Sequence, residues 1–253
     1  MFPIRLYLLL LLALAPLASK AQMMTVAQYE AQYKAMPLDK IETPLTALTK
    51  DSLTKELLAH RAPEKPAPFV RVAQTTAAAT TFAKKPLPFA VASPQQLATY
   101  LTQPFKDERL KAWALYVWMA TNLTYDQDYY TPAKRHLIRF NPLEVLLYRK
   151  SICQGYANLY CELAQKAHLK AVVATGLFKG TVPGSQARNH AWNLVKINGQ
   201  WENLDVLCYD PLYPTYDFML DPNLFQRTHY ADRAQMRLAS RRMSLADFKQ
   251  PIK

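Results

Sequence analysis

His190-Ala191-Trp192-Asn193-Leu194-Val195-Lys196-Ile197-Asn198-Gly199-Gln200-Trp201-Glu202-Asn203-Leu204-Asp205-Val206-Leu207 is the stretch that decides the fold. Asn198-Gly199 separates two runs rich in strand formers, Ala191 to Ile197 and Gln200 to Leu207. An Asn-Gly pair in that setting favours a two-residue hairpin turn of the primed type. Such a turn pairs Ile197 with Gln200, and counting outward sets His190 opposite Leu207 and Trp192 opposite Asp205. Side chains alternate between faces, so His190, Trp192, Asn203 and Asp205 share one face. His190 and Asp205 are then diagonal neighbours, with α-carbons roughly 7–8 Å apart and side chains long enough to meet.

Working outward, Lys170 to Phe178 reads as a further strand. The loop from Lys179 to Asn189, with Gly180, Pro183 and Gly184, runs directly into His190. Ile152 to Ala167 reads as a helix, with Leu159, Leu163, Ala164 and Ala167 on an apolar face and no interior proline. Cys153 therefore stands at a helix start, where unpaired N–H groups and the positive end of the dipole favour a thiolate. The same N–H groups can donate to an oxyanion formed on a substrate carbonyl. A thiol, an imidazole to take its proton and a carboxylate to orient the imidazole are the parts of a nucleophilic triad.

These segments resemble the transglutaminase-like superfamily, on Cys153-Gln154-Gly155-Tyr156-Ala157, His190-Ala191-Trp192-Asn193 and Asp205. Trp118-Met119-Ala120-Thr121-Asn122-Leu123-Thr124-Tyr125-Asp126, Asp217-Phe218-Met219-Leu220-Asp221-Pro222 and Thr228-His229-Tyr230 are similar to its subgroup resembling kyphoscoliosis peptidase. The likeness runs from about Pro94 to Lys253. Val206-Leu207-Cys208 departs from the Val-Thr-Trp that commonly follows the Asp, which bears on core packing or the cleft wall. The resemblance implies an α+β, papain-like fold in which a helix bearing Cys153 packs on an antiparallel sheet bearing His190 and Asp205. It also implies thiol acyl transfer on amide bonds of proteins or peptides, by a peptidase with water as acceptor or a transglutaminase with an amine. A catalytically inactive envelope binding module on the same fold is the alternative. Trp118 is similar in placement to a tryptophan that assists the oxyanion in transglutaminases, although beside Trp113 on a helix it reads as core.

The chain start reads as a secretory signal peptide, residues 1–21: Arg5, an apolar run from Leu6 to Ala15, Pro16, and small residues around Ser19-Lys20-Ala21. That run is too short for a span of about 20 residues, and no later segment comes close. Export to the periplasm or the extracellular space is therefore expected, with no transmembrane segment after signal removal. Three cysteines in an exported chain cannot all pair within one molecule. Cys153, Cys161 and Cys208 lack zinc-site spacing, and Cys161 and Cys208 read as buried and inert. His60, His136, His168 and His229 show no ligand spacing either, so no metal and no cofactor is expected.

The formal charge is +12, which becomes +10 when the positive charges of Arg5 and Lys20 leave with the signal. Seven Lys and Arg against two Asp between Arg227 and Lys253 give that end a local +5, suited to a solvated basic face or to an anionic envelope surface. Nucleic acid is not expected, because no recognition motif accompanies the charge. Residues 22–92 form an N-terminal segment followed by a stretch read as a Pro-rich linker or an extended wrap. The domain is expected over 93–253. Ser93-Pro94-Gln95-Gln96 and Asn141-Pro142-Leu143-Glu144 each cap a helix start, and Asp107 to Asn122 reads as a helix with Leu110, Trp113, Val117 and Ala120 on one side.

Overall fold

The computed structural model describes residues 77–88, 91, 93–180, 185–208 and 218–250. The signal segment, residues 22–76, part of the loop before His190 and the side chain of Cys208 lie outside the described residues.

The two proline-led caps form as their chemistry dictates. Ser93 Oγ accepts the Gln96 N–H at 3.2 Å to start α2, Pro94–Thr102. Asn141 Oδ1 accepts the Leu143 N–H at 2.9 Å to start α4, Pro142–Tyr148. Between them runs α3, Glu108–Asn122, capped by Asp107 through the Leu110 N–H at 2.9 Å. Every residue from Ala112 to Met119 is buried. The expected one-sided pattern is thus corrected: α3 is a central helix enclosed by neighbours, and Leu110 and Ala120 lie at the margin of its buried stretch.

One of those neighbours is α1, Ala77–Ala83. A helix, rather than an extended wrap, occupies this part of the Pro-rich stretch. Ala79 and Ala83 are buried against the core, Thr80 Oγ1 accepts the Trp113 indole N–H at 2.6 Å, and Phe82 packs on Tyr100 and Phe105. The Ala/Thr run hid this helix, because small residues allow close approach without announcing a periodic apolar face.

The helix α5, Cys153–Lys166, lies against a four-stranded antiparallel sheet ordered β5-β4-β3-β6, formed by β3 Lys170–Phe178, β4 Arg188–Ile197, β5 Gln200–Leu204 and β6 His229–Ala231. Two short parallel strands, β1 Thr124–Tyr125 and β2 Lys150–Ser151, lead into the start of α5. One face of the sheet presents Ala171, Val173, Ala191, Val195 and Ile197 to the helices. The other presents Val172, Ala174, Trp192, Leu194 and Trp201 to Leu220, Phe225, Met236 and Leu238. Burial of both faces explains why β3 reads as an almost unbroken apolar run.

The hairpin has the register expected from its turn. Ile197 pairs with Gln200 and the ladder continues to Asn193 with Leu204, while Asn198 and Gly199 take φ of 50° and 84°. The ladder stops there, three residues short of the expected Leu207. Asp205 Oδ1 accepts the Leu207 N–H at 3.0 Å, and this side-chain turn folds Val206–Cys208 into a single 3-10 turn. Ending the strand at Leu204 frees Asp205 from the ladder.

Candidate active site

Cys153 opens α5 behind Ile152, a cap residue that gives the helix no side-chain hydrogen bond. The first-turn N–H groups therefore receive no cap from Ile152, at the helix end that carries the thiol. The segment before them is packed tightly. Ser151, fully buried, donates its hydroxyl to the Arg139 carbonyl at 2.5 Å, and a methyl on Gly155 would lie 2.8 Å from that carbonyl. Gly155 thus lets the 139–151 region close over the helix start and fix the position of Cys153.

Asn193 fixes the helix to the histidine strand. From the middle of β4 its Nδ2 donates to the Ala157 carbonyl of α5 at 2.9 Å and to the Val172 carbonyl of β3 at 3.3 Å. His190 sits near the beginning of the same strand, where the Cys153 thiol is among the groups that raise its pKa. Its Nε2 lies 2.7 Å from Asp205 Oδ2. Cys153, His190 and Asp205 thus form one electrostatically linked chain.

The electrostatics favour charge separation along that chain. Burial alone would push the His190 imidazole toward neutrality, but the Asp205 charge and hydrogen bond, reinforced by Cys153, outweigh it and raise its pKa to about 10. Asp205 is buried, which by itself opposes its ionisation, yet the charge and hydrogen bond of His190, with the hydrogen bond of His229, hold its carboxyl well below the usual carboxylate range.

The second of those histidines is His229, whose Nε2 lies 3.1 Å from the same Oδ2. Sequence spacing gave His229 no role. It reaches the site because β6 pairs with β3, with His229 opposite Phe178, and because Gly176 leaves room for the Tyr230 carbonyl that a side chain there would strike. Its pKa is lowered, chiefly by burial. The only signal for it in the sequence was the Thr228-His229-Tyr230 segment. Donor atoms of His190, Asp205 and His229 lie within 4.8 Å of one another, the spacing of a metal-ligand set, and here Oδ2 is shared by both rings in hydrogen bonds. His136 and His168 are exposed and are not brought to this site. His60 lies outside the described residues.

Burial, a hydrogen bond with Tyr130 and the charge at Cys153 all raise the pKa of Tyr125 on β1, so it stands as a neutral hydroxyl. Trp118 is 1% exposed within α3 and carries the Arg149 guanidinium 4.4 Å over its ring, so it is a core residue. Cys161 is buried as expected, and burial pushes its thiol up to about 12. A recess lined by Trp192, Asn203, Phe225, His229 and Met236 lies behind Asp205, and Cys153 does not line it. No helix among the described residues is long and apolar enough to cross a membrane.

Residues 95–206 match the model of the transglutaminase-like superfamily, a range that holds Cys153, His190 and Asp205 and leaves out His229. The chain is similar to kyphoscoliosis peptidase of Mus musculus, 26% identical with 60% of this chain and 25% of that protein covered. The corresponding protein of Homo sapiens is 25% identical at the same coverage. The chain thus spans about a quarter of the length of the curated relatives it matches. Among solved structures, the crystal structure of a TGase is 15% identical with a TM-score of 0.38, covering 72% of this chain and 38% of that one. Over residues 95–206 the chain is similar to the transglutaminase-like superfamily.

Proposed function

We propose that this protein is a thiol acyl-transfer enzyme acting on amide bonds of proteins or peptides, with Cys153 as nucleophile, His190 as acid and base, and Asp205 as the group that orients His190. The observation that carries the reading is the 2.7 Å contact of His190 with the buried Asp205 carboxylate, with Cys153 at the start of α5 among the groups that raise the pKa of His190. The Cys153 sulfur attacks the carbonyl carbon, and the carbonyl oxygen gains negative charge beside the uncapped N–H groups of α5. Protonated His190 then passes its proton to the leaving amine, and a thioester remains on Cys153. In the second half, His190 takes a proton from the acceptor as it attacks the thioester, and the thiolate leaves. Water as acceptor gives hydrolysis and a primary amine gives transamidation.

Export to the periplasm or the extracellular space belongs to the same reading, on the residue 1–21 segment, as does contact of the basic C-terminal end with an anionic envelope surface. The functional test is incubation of the full chain with an unfolded protein substrate and a fluorescent primary amine. Released peptides or incorporated amine, both absent in Cys153→Ala, support acyl transfer. Neither product, together with slow alkylation of Cys153, returns the chain to the inactive binding module.

A further inference from the structure

We infer that His229 is a positioning residue for the acyl-transfer reaction, a second histidine whose hydrogen bond to Asp205 Oδ2 locks the carboxylate that serves His190. This rests on the acyl-transfer reading and extends it to a residue outside the superfamily match.

Leu207, His190 and His229 are among the carboxylate's hydrogen-bonding neighbours. Leu207 N–H occupies Oδ1, while His190 Nε2 and His229 Nε2 share Oδ2 at 2.7 and 3.1 Å. His190 must move protons and shift as substrate binds, so it cannot also be the fixed point that sets the carboxylate's angle. His229 is suited to that task. Its side chain is 0% exposed, its ring stacks on Phe225 at 3.9 Å with planes 13° apart, and Phe178 and Trp192 close two further sides.

The proton arrangement follows from its partners. Thr228 Oγ1 lies 2.9 Å from Nδ1. With a neutral ring carrying its proton on Nε2, Nε2–H donates to Asp205, and the Thr228 hydroxyl, which also lies 3.2 Å from the Phe225 carbonyl, gives its one proton to the nearer Nδ1. Burial keeps the ring neutral. The titratable groups facing it are Asp205, after β5, and His190, on β4. β3 contributes Phe178, with Arg188 beyond that ring, the helix Pro222–Phe225 contributes Phe225, and β4 contributes Trp192. A neutral donor strengthens the anionic form of Asp205 without competing for its charge, which leaves the carboxylate free to hold the His190 imidazolium.

Packing and hydrogen bonding make opposite demands on the substitution, and this separates them. His229→Phe keeps the ring stacked on Phe225 and removes the donor, whereas His229→Gln discards the ring and keeps an N–H near the Nε2 position. The readout is the rate of Cys153 alkylation by iodoacetamide at pH 6 and at pH 9 in the full chain. A free thiol of pKa about 8.5 slows roughly 200-fold between those pH values. Wild type is expected to slow less than about tenfold, His229→Gln to stay within about threefold of wild type, and His229→Phe to lose at least about a further tenfold at pH 6 while keeping its pH 9 rate. A folded His229→Phe with the wild-type ratio, or a folded His229→Gln as impaired as Phe, overturns the inference. If His229→Phe does not fold, Thr228→Val decides, with about a threefold loss at pH 6 expected and an unchanged ratio contrary to it. A wild-type chain that itself slows like a free thiol overturns the acyl-transfer reading first.

Discussion

Asn193 of β4 donates its side-chain amide to the Ala157 carbonyl of α5 at 2.9 Å, so the strand that carries His190 is fastened to the helix that carries Cys153 four residues beyond the nucleophile. Both partners are buried. This bond sets the separation between nucleophile and base.

Asn193→Leu is therefore expected to cost about 1–3 kcal/mol, the usual penalty for leaving buried acceptors without a donor. Reactivity should fall further than stability alone dictates, because the helix start drifts from His190. Urea denaturation together with alkylation of Cys153 in native buffer checks both. A destabilised variant with full Cys153 reactivity would show that Asn193 serves stability and not alignment.

Asp205→Asn is expected to be more damaging than removing a distant orienting group. The hydrogen bonds that the carboxylate takes from His190, His229 and Leu207 come from N–H donors. An amide in that place turns its own N–H toward one of them and removes the charge that sustains the His190 imidazolium. The folded-state pKa of Asp205 is depressed, so its contribution is present above about pH 4, the ordinary carboxylate value, and is lost as pH falls further. Wild type and Asp205→Asn should thus differ most in melting temperature near pH 7 and converge in acid. A constant difference across pH would contradict that origin.

Glu202 provides the opposite sign. Its side chain on β5 is pushed up to about 7, first by burial and then by Asp221, against the opposing charge of Arg109. A carboxyl whose folded pKa exceeds its unfolded value loses stability as pH rises from about 4.5 through about 7. Glu202→Gln should therefore stabilise the protein by about 1–3 kcal/mol at pH 8 and by little at pH 4. Thermal melts at the two pH values decide it, and a variant less stable at pH 8 would contradict the burial cost.

Truncation tests the place of α1. A chain beginning just before Ala77 retains the Thr80 partner of the Trp113 indole and the buried Ala79 and Ala83. A chain beginning at Ser93 leaves that indole N–H without its acceptor and uncovers one side of α3, at an expected cost of about 3 kcal/mol or more. Equal melting temperatures for the two chains would show that α1 is an accessory.

The contact of His190 with Asp205 and the place of Cys153 at a helix start were legible in the sequence because each follows from a local rule. A helix start places Cys153, an Asn-Gly turn sets the register of His190 and Asp205, and the strand after Ile197 inherits that register for five pairs. Two features were not legible. His229 depends on β6 pairing with β3 across more than 50 intervening residues, and no local pattern encodes that contact. The burial of α3 on all sides depends on α1, whose small residues carry no periodic apolar face. Where the sequence departs from Val-Thr-Trp at Val206-Leu207-Cys208, the Asp205 side chain still captures the Leu207 N–H, which holds the carboxylate in place.

The most direct measurement is the titration of the His190 ring by NMR in isotope-labelled protein. A thiolate-imidazolium pair stabilised by Asp205 predicts a pKa of about 10 for that ring, falling in Cys153→Ala as the partner charge disappears. A ring that titrates near or below 6.5, and that ignores Cys153→Ala, would contradict the charge-separated triad.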